Sequence, residues 1–78
     1  MTLKIISTTE VVFQGTFESV QLPGTMGRFT VLNNHASLVS SLAPGKIMYR
    51  QDNGTEHEFE VKGGIADIDN NVVSVCIY

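Results

Sequence analysis

Residues 46–62, Lys46-Ile47-Met48-Tyr49-Arg50-Gln51-Asp52-Asn53-Gly54-Thr55-Glu56-His57-Glu58-Phe59-Glu60-Val61-Lys62, decide the fold. The second half alternates with period two. Glu56, Glu58 and Glu60 fall on one face, and His57, Phe59 and Val61 on the other. That pattern describes a strand with one side on a core. Between the halves, Asp52-Asn53-Gly54 supplies residues that tolerate positive φ, which a tight hairpin turn requires. The stretch therefore predicts two antiparallel strands, 46–51 and 55–62.

Working outward, Asn70-Asn71 joins 65–69 to 72–78 in the same way. One face of the last strand carries Val73, Val75 and Ile77, and the opposite face Val72, Ser74, Cys76 and Tyr78. Upstream, turn signals recur at Gln14-Gly15, Pro23-Gly24, Gly27, Asn33-Asn34, Pro44-Gly45 and Gly63-Gly64. The segments between them are short and rich in Val, Ile, Thr, Phe and Tyr. Such spacing reads as an all-β domain, a small β-sandwich or barrel. Residues 34–42, with Ala, Leu and Ser, fit a short helical turn or an irregular strand.

Length and composition bound the function. A chain of 78 residues makes one small domain with a thin core. One cysteine excludes an intramolecular disulfide, and one Cys with two His excludes a Cys-rich zinc site. The net charge of −3 argues against a nucleic-acid surface. Charged residues make up 17%, a sparse share that suggests partner-covered surface. No apolar run reaches membrane-span length, and the N-terminus reads as neither signal nor transit peptide. A reducing cytoplasm is the expected compartment.

The candidate chemical groups are weak. Glu56, Glu58 and Glu60 are spaced along a flat strand rather than wrapped by a loop, so they suit a solvated face better than a calcium site. Asp67 and Asp69 flank a turn, with no cleft to make them an acid–base pair. Cys76 sits within a strand and reads as a structural thiol. His57 reads as a partly buried strand residue, and His35 as one that fixes its loop. Gly24, Gly27, Gly63 and Gly64 lack the sequence context of a phosphate-binding loop and read as conformational. No metal, cofactor or small-molecule substrate is expected. The 22–35 loop, from Leu22 to His35, is the richest candidate surface, because Met26, Arg28 and Phe29 are the types enriched at interface centres.

That loop carries a resemblance. Val20-Gln21-Leu22-Pro23-Gly24, then Gly27, then Phe29-Thr30-Val31-Leu32-Asn33-Asn34-His35-Ala36-Ser37-Leu38 resembles the epsilon subunit of F-type ATP synthases, whose pattern is close to "LPG, G, hydrophobic, G, VLPGHAPL". Further matches follow in order: Leu42, Pro44 and Gly45; Val61, Gly63, Gly64 and Ile65; Asn71, Val72 and Val75. Residues 3–7, with Val12, Phe13 and Gly15, fit its beginning, so the likeness runs over essentially the whole chain. Asn33-Asn34 replace the family's Pro-Gly, and Ser37 its Pro. Arg28 stands where an acidic residue is common.

The resemblance implies an all-β sandwich of about ten short strands. It implies a non-catalytic rotor subunit without a cofactor, binding the gamma subunit and the c-ring and coupling ion-driven rotation to ATP synthesis. The expected setting is the cytoplasmic face of the bacterial inner membrane, peripheral through the complex. The ring-facing residues carried over are Pro23, Gly24, Thr25, Met26, Gly27, Arg28, Phe29, Asn34 and His35. The gamma-facing ones are Thr8, Thr9, Glu10, Ala36, Leu38 and Leu42. Family members continue into a helical hairpin that restrains ATP hydrolysis. Here a single domain, 1–78, without that hairpin is expected. The competing reading is an independent binding module that recognises a protein or peptide through the 22–35 loop. An enzyme built around His35 is a third.

Overall fold

A computed structural model describes all residues, Met1–Tyr78. Nine strands follow one another without a helix: β1 (Thr2–Ile6), β2 (Val11–Thr16), β3 (Ser19–Gly24), β4 (Gly27–Leu32), β5 (Leu38–Leu42), β6 (Gly45–Arg50), β7 (Glu56–Val61), β8 (Gly64–Asp69) and β9 (Val72–Ile77). Both predicted hairpins form. Tyr49 lies opposite His57 across β6 and β7, and Ala66 opposite Val75 across β8 and β9. Asn70 and Asn71 both take positive φ in the second turn, as does Gly54 in the first.

The strands curl into two layers that share β3. One layer runs β2-β1-β9-β8-β5, the other β4-β3-β6-β7. The first half of β3 pairs with β6, from Ser19 opposite Arg50 to Gln21 opposite Met48. Its last residue, Gly24, pairs instead with Leu42 of β5. The first and last strands meet as a parallel pair, Leu3 beside Val73 and Ile5 beside Val75. Inward-facing residues of both layers form one apolar core, including Leu3, Ile5, Val20, Leu22, Ile47, Ile68, Val73 and Val75. No charged side chain is buried in it. Burying such side chains contributes about 1.5–3 kcal/mol each.

Aromatic rings close one end of this core. Phe17 is fully buried and packs edge-on to Tyr49 with ring centres 4.7 Å apart. Phe13 of β2 stacks on Tyr49 of β6 at 5.3 Å, tying the two layers together. Tyr49 also stacks on the partly buried His57 at 5.3 Å, and His57 Nε2 donates to Gln51 Oε1 at 3.0 Å.

Three local readings change, and of the two alternatives for 34–42 the strand holds over 38–42. Gly15 lies within β2 and not in a turn, and a Cβ there would meet the Phe13 and Phe17 rings at 3.0 and 3.2 Å. Pro23 and Gly24 end β3 and Gly27 begins β4, so the 22–35 "loop" is mostly a hairpin with Thr25-Met26 at its turn. Residues 38–42 extend as β5 because they complete the β8 edge, Leu38 opposite Ile68, so no helical turn forms there. Cys76 is exposed on the outer face, since only the odd positions of β9 reach the core.

Gly64 is the tightest point of the sheet. A Cβ on it would run into the Cys76 carbonyl, and its φ is +158°. Gly64→Ala should therefore lower stability by about 1–3 kcal/mol, seen as a lower urea midpoint with unchanged m-value. An unchanged midpoint would contradict the close approach.

Burial raises the Tyr49 phenol above its ordinary value. The unfolded phenol ionises near pH 10, and the folded one stays neutral to higher pH. The associated stability is thus complete below that value and lost as pH rises through the folded pKa. Tyr49→Phe should lose less stability than the native chain between about pH 8 and about pH 11, measured by urea unfolding at each pH.

Candidate protein-docking surfaces

The nine strands place their ends in two groups. One end holds the Thr25-Met26 turn, the close of β5 at Leu42, Gly63 and Tyr78, and the 8–10 turn between β1 and β2. The other end holds the 33–37 segment and the Asn70-Asn71 turn. The length of β4, about 20 Å, separates them.

At the first end the hairpin is stiff. Gly24 pairs with Gly27, and a Cβ on Gly24 would meet the Gly27 carbonyl at 2.7 Å and the Phe29 ring at 2.8 Å. Gly27 takes φ +128°. The Thr25 amide donates to the Ser41 carbonyl at 3.0 Å, and their hydroxyls lie 2.8 Å apart. Met26 is 100% exposed. Arg28 is also exposed; its Nη2 donates to the Lys46 carbonyl at 2.6 Å and its Nε to Gln21 Oε1 at 3.3 Å. Pro23 is buried and Phe29 is packed against the core, so the outward surface reduces to Thr25, Met26, Gly27 and Arg28.

At the second end Asn34 and Asn71, both at positive φ, clasp each other. The Asn34 amide donates to Asn71 Oδ1 at 2.6 Å, and Asn71 Nδ2 donates to Asn34 Oδ1 at 3.3 Å. His35 Nδ1 donates to the Ala36 carbonyl at 2.6 Å, and Ser37 Oγ to Asp69 Oδ1 at 2.7 Å. His35 thus fixes its own turn. It lies far from Cys76, and no three His, Cys, Asp or Glu side chains gather anywhere in the chain.

Ring-facing and gamma-facing expectations both divide across these ends. Met26 and His35 are not neighbours. Thr8, Thr9 and Glu10 lie at the Met26 end, whereas Ala36 and Leu38 lie near Asn71. Leu42, only 5% exposed, belongs to the core, because Gly24 and Gly64 flank it across the sheet.

The outer faces of the two layers differ in kind. On the β3-β6-β7 layer, Lys46 Nζ lies 3.2 Å from Glu58, and Arg50 reaches Glu56 at 2.8 Å and Glu18 at 3.7 Å. That face is polar and paired with itself. The Arg50 guanidinium is held above its ordinary value by hydrogen bonding to Glu56 and by the Glu56 charge. The other layer carries an apolar row: Ile65 opposite Cys76, Cys76 beside Ile6, and Ile6 opposite Val11. Ile65 is 49% and Val11 55% exposed, and Val39 stands on the same face. Each strand contributes one residue, so no single segment of sequence displays the row. Only the β1–β9 register assembles it.

Residues 1–77 match the family described as "ATP synthase, Delta/Epsilon chain, beta-sandwich domain". The chain belongs to that family. Among relatives, the ATP synthase epsilon chain of Gloeobacter violaceus is 38% identical over 73 residues, covering 94% of this chain and 54% of the relative. The chloroplastic epsilon chain of Cyanidium caldarium is 36% identical over 77 residues, covering 99% and 57%. The chain thus spans about half the length of these relatives. The same fold occurs in the Euglena gracilis mitochondrial ATP synthase, solved as an OSCP/F1/c-ring assembly, with a TM-score of 0.89 at 23% identity over 96% of this chain and 48% of that one. The family's beta-sandwich domain agrees with the all-β sandwich expected from the sequence.

The Asn34–Asn71 clasp separates two effects of one residue. Asn71→Gly keeps the turn conformation and loses the side-chain bonds, which should cost about 1 kcal/mol. Asn71→Ala should cost about 1–2 kcal/mol more, because it also strains the left-handed backbone. Faster exchange of the Asn34 amide in both variants would confirm the clasp.

Proposed function

We propose that this chain is a structural subunit of an F-type ATP synthase rotor, which binds the gamma subunit and the c-ring and helps couple ion-driven rotation to ATP synthesis. The observation that carries the reading is the contrast between the two outer faces. One is polar and carries the chain's ion pairs, and the other exposes Ile65, Cys76 and Val11 in a row around the half-buried Ile6. Exposed apolar rows of this kind mark protein interfaces. Family membership supports an ATP synthase as the assembly that would cover this face.

The apolar face is assigned to gamma, with Thr8, Thr9 and Glu10 at its margin beside Val11. The Thr25–Arg28 tip is assigned to the c-ring. A face and the adjoining end suit a subunit set in the corner between a stalk and a ring. The role is mechanical, and neither nucleic acid nor a small-molecule substrate enters it. The setting is peripheral to a membrane through the complex, and for a bacterial chain it is the cytoplasmic face of the inner membrane.

Tagged chain drawn from its native membranes should bring gamma with it. Ile65→Glu should leave the isolated fold within about 0.5 kcal/mol of native and cut recovery of gamma by about tenfold or more. Capture of no other synthase subunit by the native chain would overturn the reading.

A further inference from the structure

Charge is distributed unevenly along the strand axis. At the Met26 end stand Arg28, Lys46 and Lys62, against Glu10 and Glu60. At the opposite end Glu18, Asp52, Glu56 and Asp69 face Arg50 alone. Counting Glu58, which pairs with Lys46, the Met26 end is balanced, and the opposite end carries the negative excess of a chain whose net charge is −3. The ion pairs engage only Lys46 and Arg50 among the cations. Arg28 and Lys62 have no carboxylate partner.

Arg28 is also held in place. Two of its five N–H groups bond to the Lys46 carbonyl and to Gln21, and both partners are neutral. Those bonds hold the guanidinium across the outer face of β3 and β6, behind the hairpin tip, and leave its other donors without a partner. A preorganised guanidinium with free donors suits a carboxylate, which accepts two parallel bonds from it. Met26, two residues before Arg28 at the turn, is a single fully exposed apolar side chain.

Resting on the assignment of this tip to the ring, we infer that the protein loop it meets bears an Asp or Glu within reach of Arg28, next to an apolar floor that takes Met26. A protein loop is favoured over an anionic lipid surface for two reasons. One methionine gives too little apolar area for stable insertion. The chain's overall negative charge would also oppose approach to an anionic membrane.

Two cross-linking variants test this in the intact synthase in native membranes. Met26→Cys in a Cys76→Ser background carries a benzophenone that captures whatever lies at the tip, whatever its charge. Arg28→Lys with a carbodiimide joins the new amine to a carboxylate as an amide, the carbodiimide taking up the water as a urea. Arg28→Gln gives the background from the native lysines. The expected result is benzophenone capture of the ring subunit, with an Arg28→Lys-specific amide to an Asp or Glu of the same loop. Ring capture without that amide overturns the acidic partner and leaves the ring assignment standing. Capture of a different protein, with an amide to its carboxylate, sustains the acidic partner and overturns the ring assignment. Benzophenone capture of no protein overturns both.

Discussion

β3 must serve two sheets at once, and the rest of the sandwich depends on how it does so. Ser19, Val20 and Gln21 pair with β6, while Gly24 pairs with β5. Between these stretches the partner changes. Pro23 sits there without an N–H, so the backbone has one less donor to satisfy where β6 turns away. Its carbonyl is not wasted, because the Ala43 amide donates to it at 2.8 Å. Gly24 then lacks the Cβ that would meet the Gly27 carbonyl and the Phe29 ring. Pro23-Gly24 therefore joins the layers and also sets the stiff hairpin that presents Met26.

Features legible in the sequence are those confined to one strand or one turn. The alternation of 56–61 and 72–77 gives inward and outward faces, and Asn-rich or Gly-containing turns give the hairpins. Gly15 resembles a turn residue because the sequence does not show Phe13 and Phe17 closing over it. Pro23-Gly24 resembles a loop because a proline inside a strand is expected only where a neighbour is missing, and β6 departs there. Residues from the first and last strands become neighbours only through the β1–β9 pairing, so the apolar row is invisible in the sequence. The family pattern, by contrast, is legible through short motifs in fixed order, because the turns that it preserves are local.

The core holds no charged side chain, and the Tyr49 phenol is its one polar side-chain group. Polar groups that swapped partners would offer alternative arrangements of similar energy, and this interior has almost none to swap. The polar surface of the β3-β6-β7 layer is similarly committed, with Arg50 reaching two glutamates. The unsatisfied features, the apolar row and Arg28, lie on one face and one end.

The parallel pairing of β1 with β9 has a mechanical meaning. Thr2 begins β1 at the Asn71 end of the sheet, and Ile77 ends β9 at the Met26 end. A load drawn between those two points pulls the strands lengthwise past each other. The bonds from Thr2–Val72 to Ile6–Cys76 then resist together, in shear, and do not break singly as they would in a peeled hairpin. A subunit held at its two strand ends would consequently yield abruptly above a threshold force, and hold its shape below it.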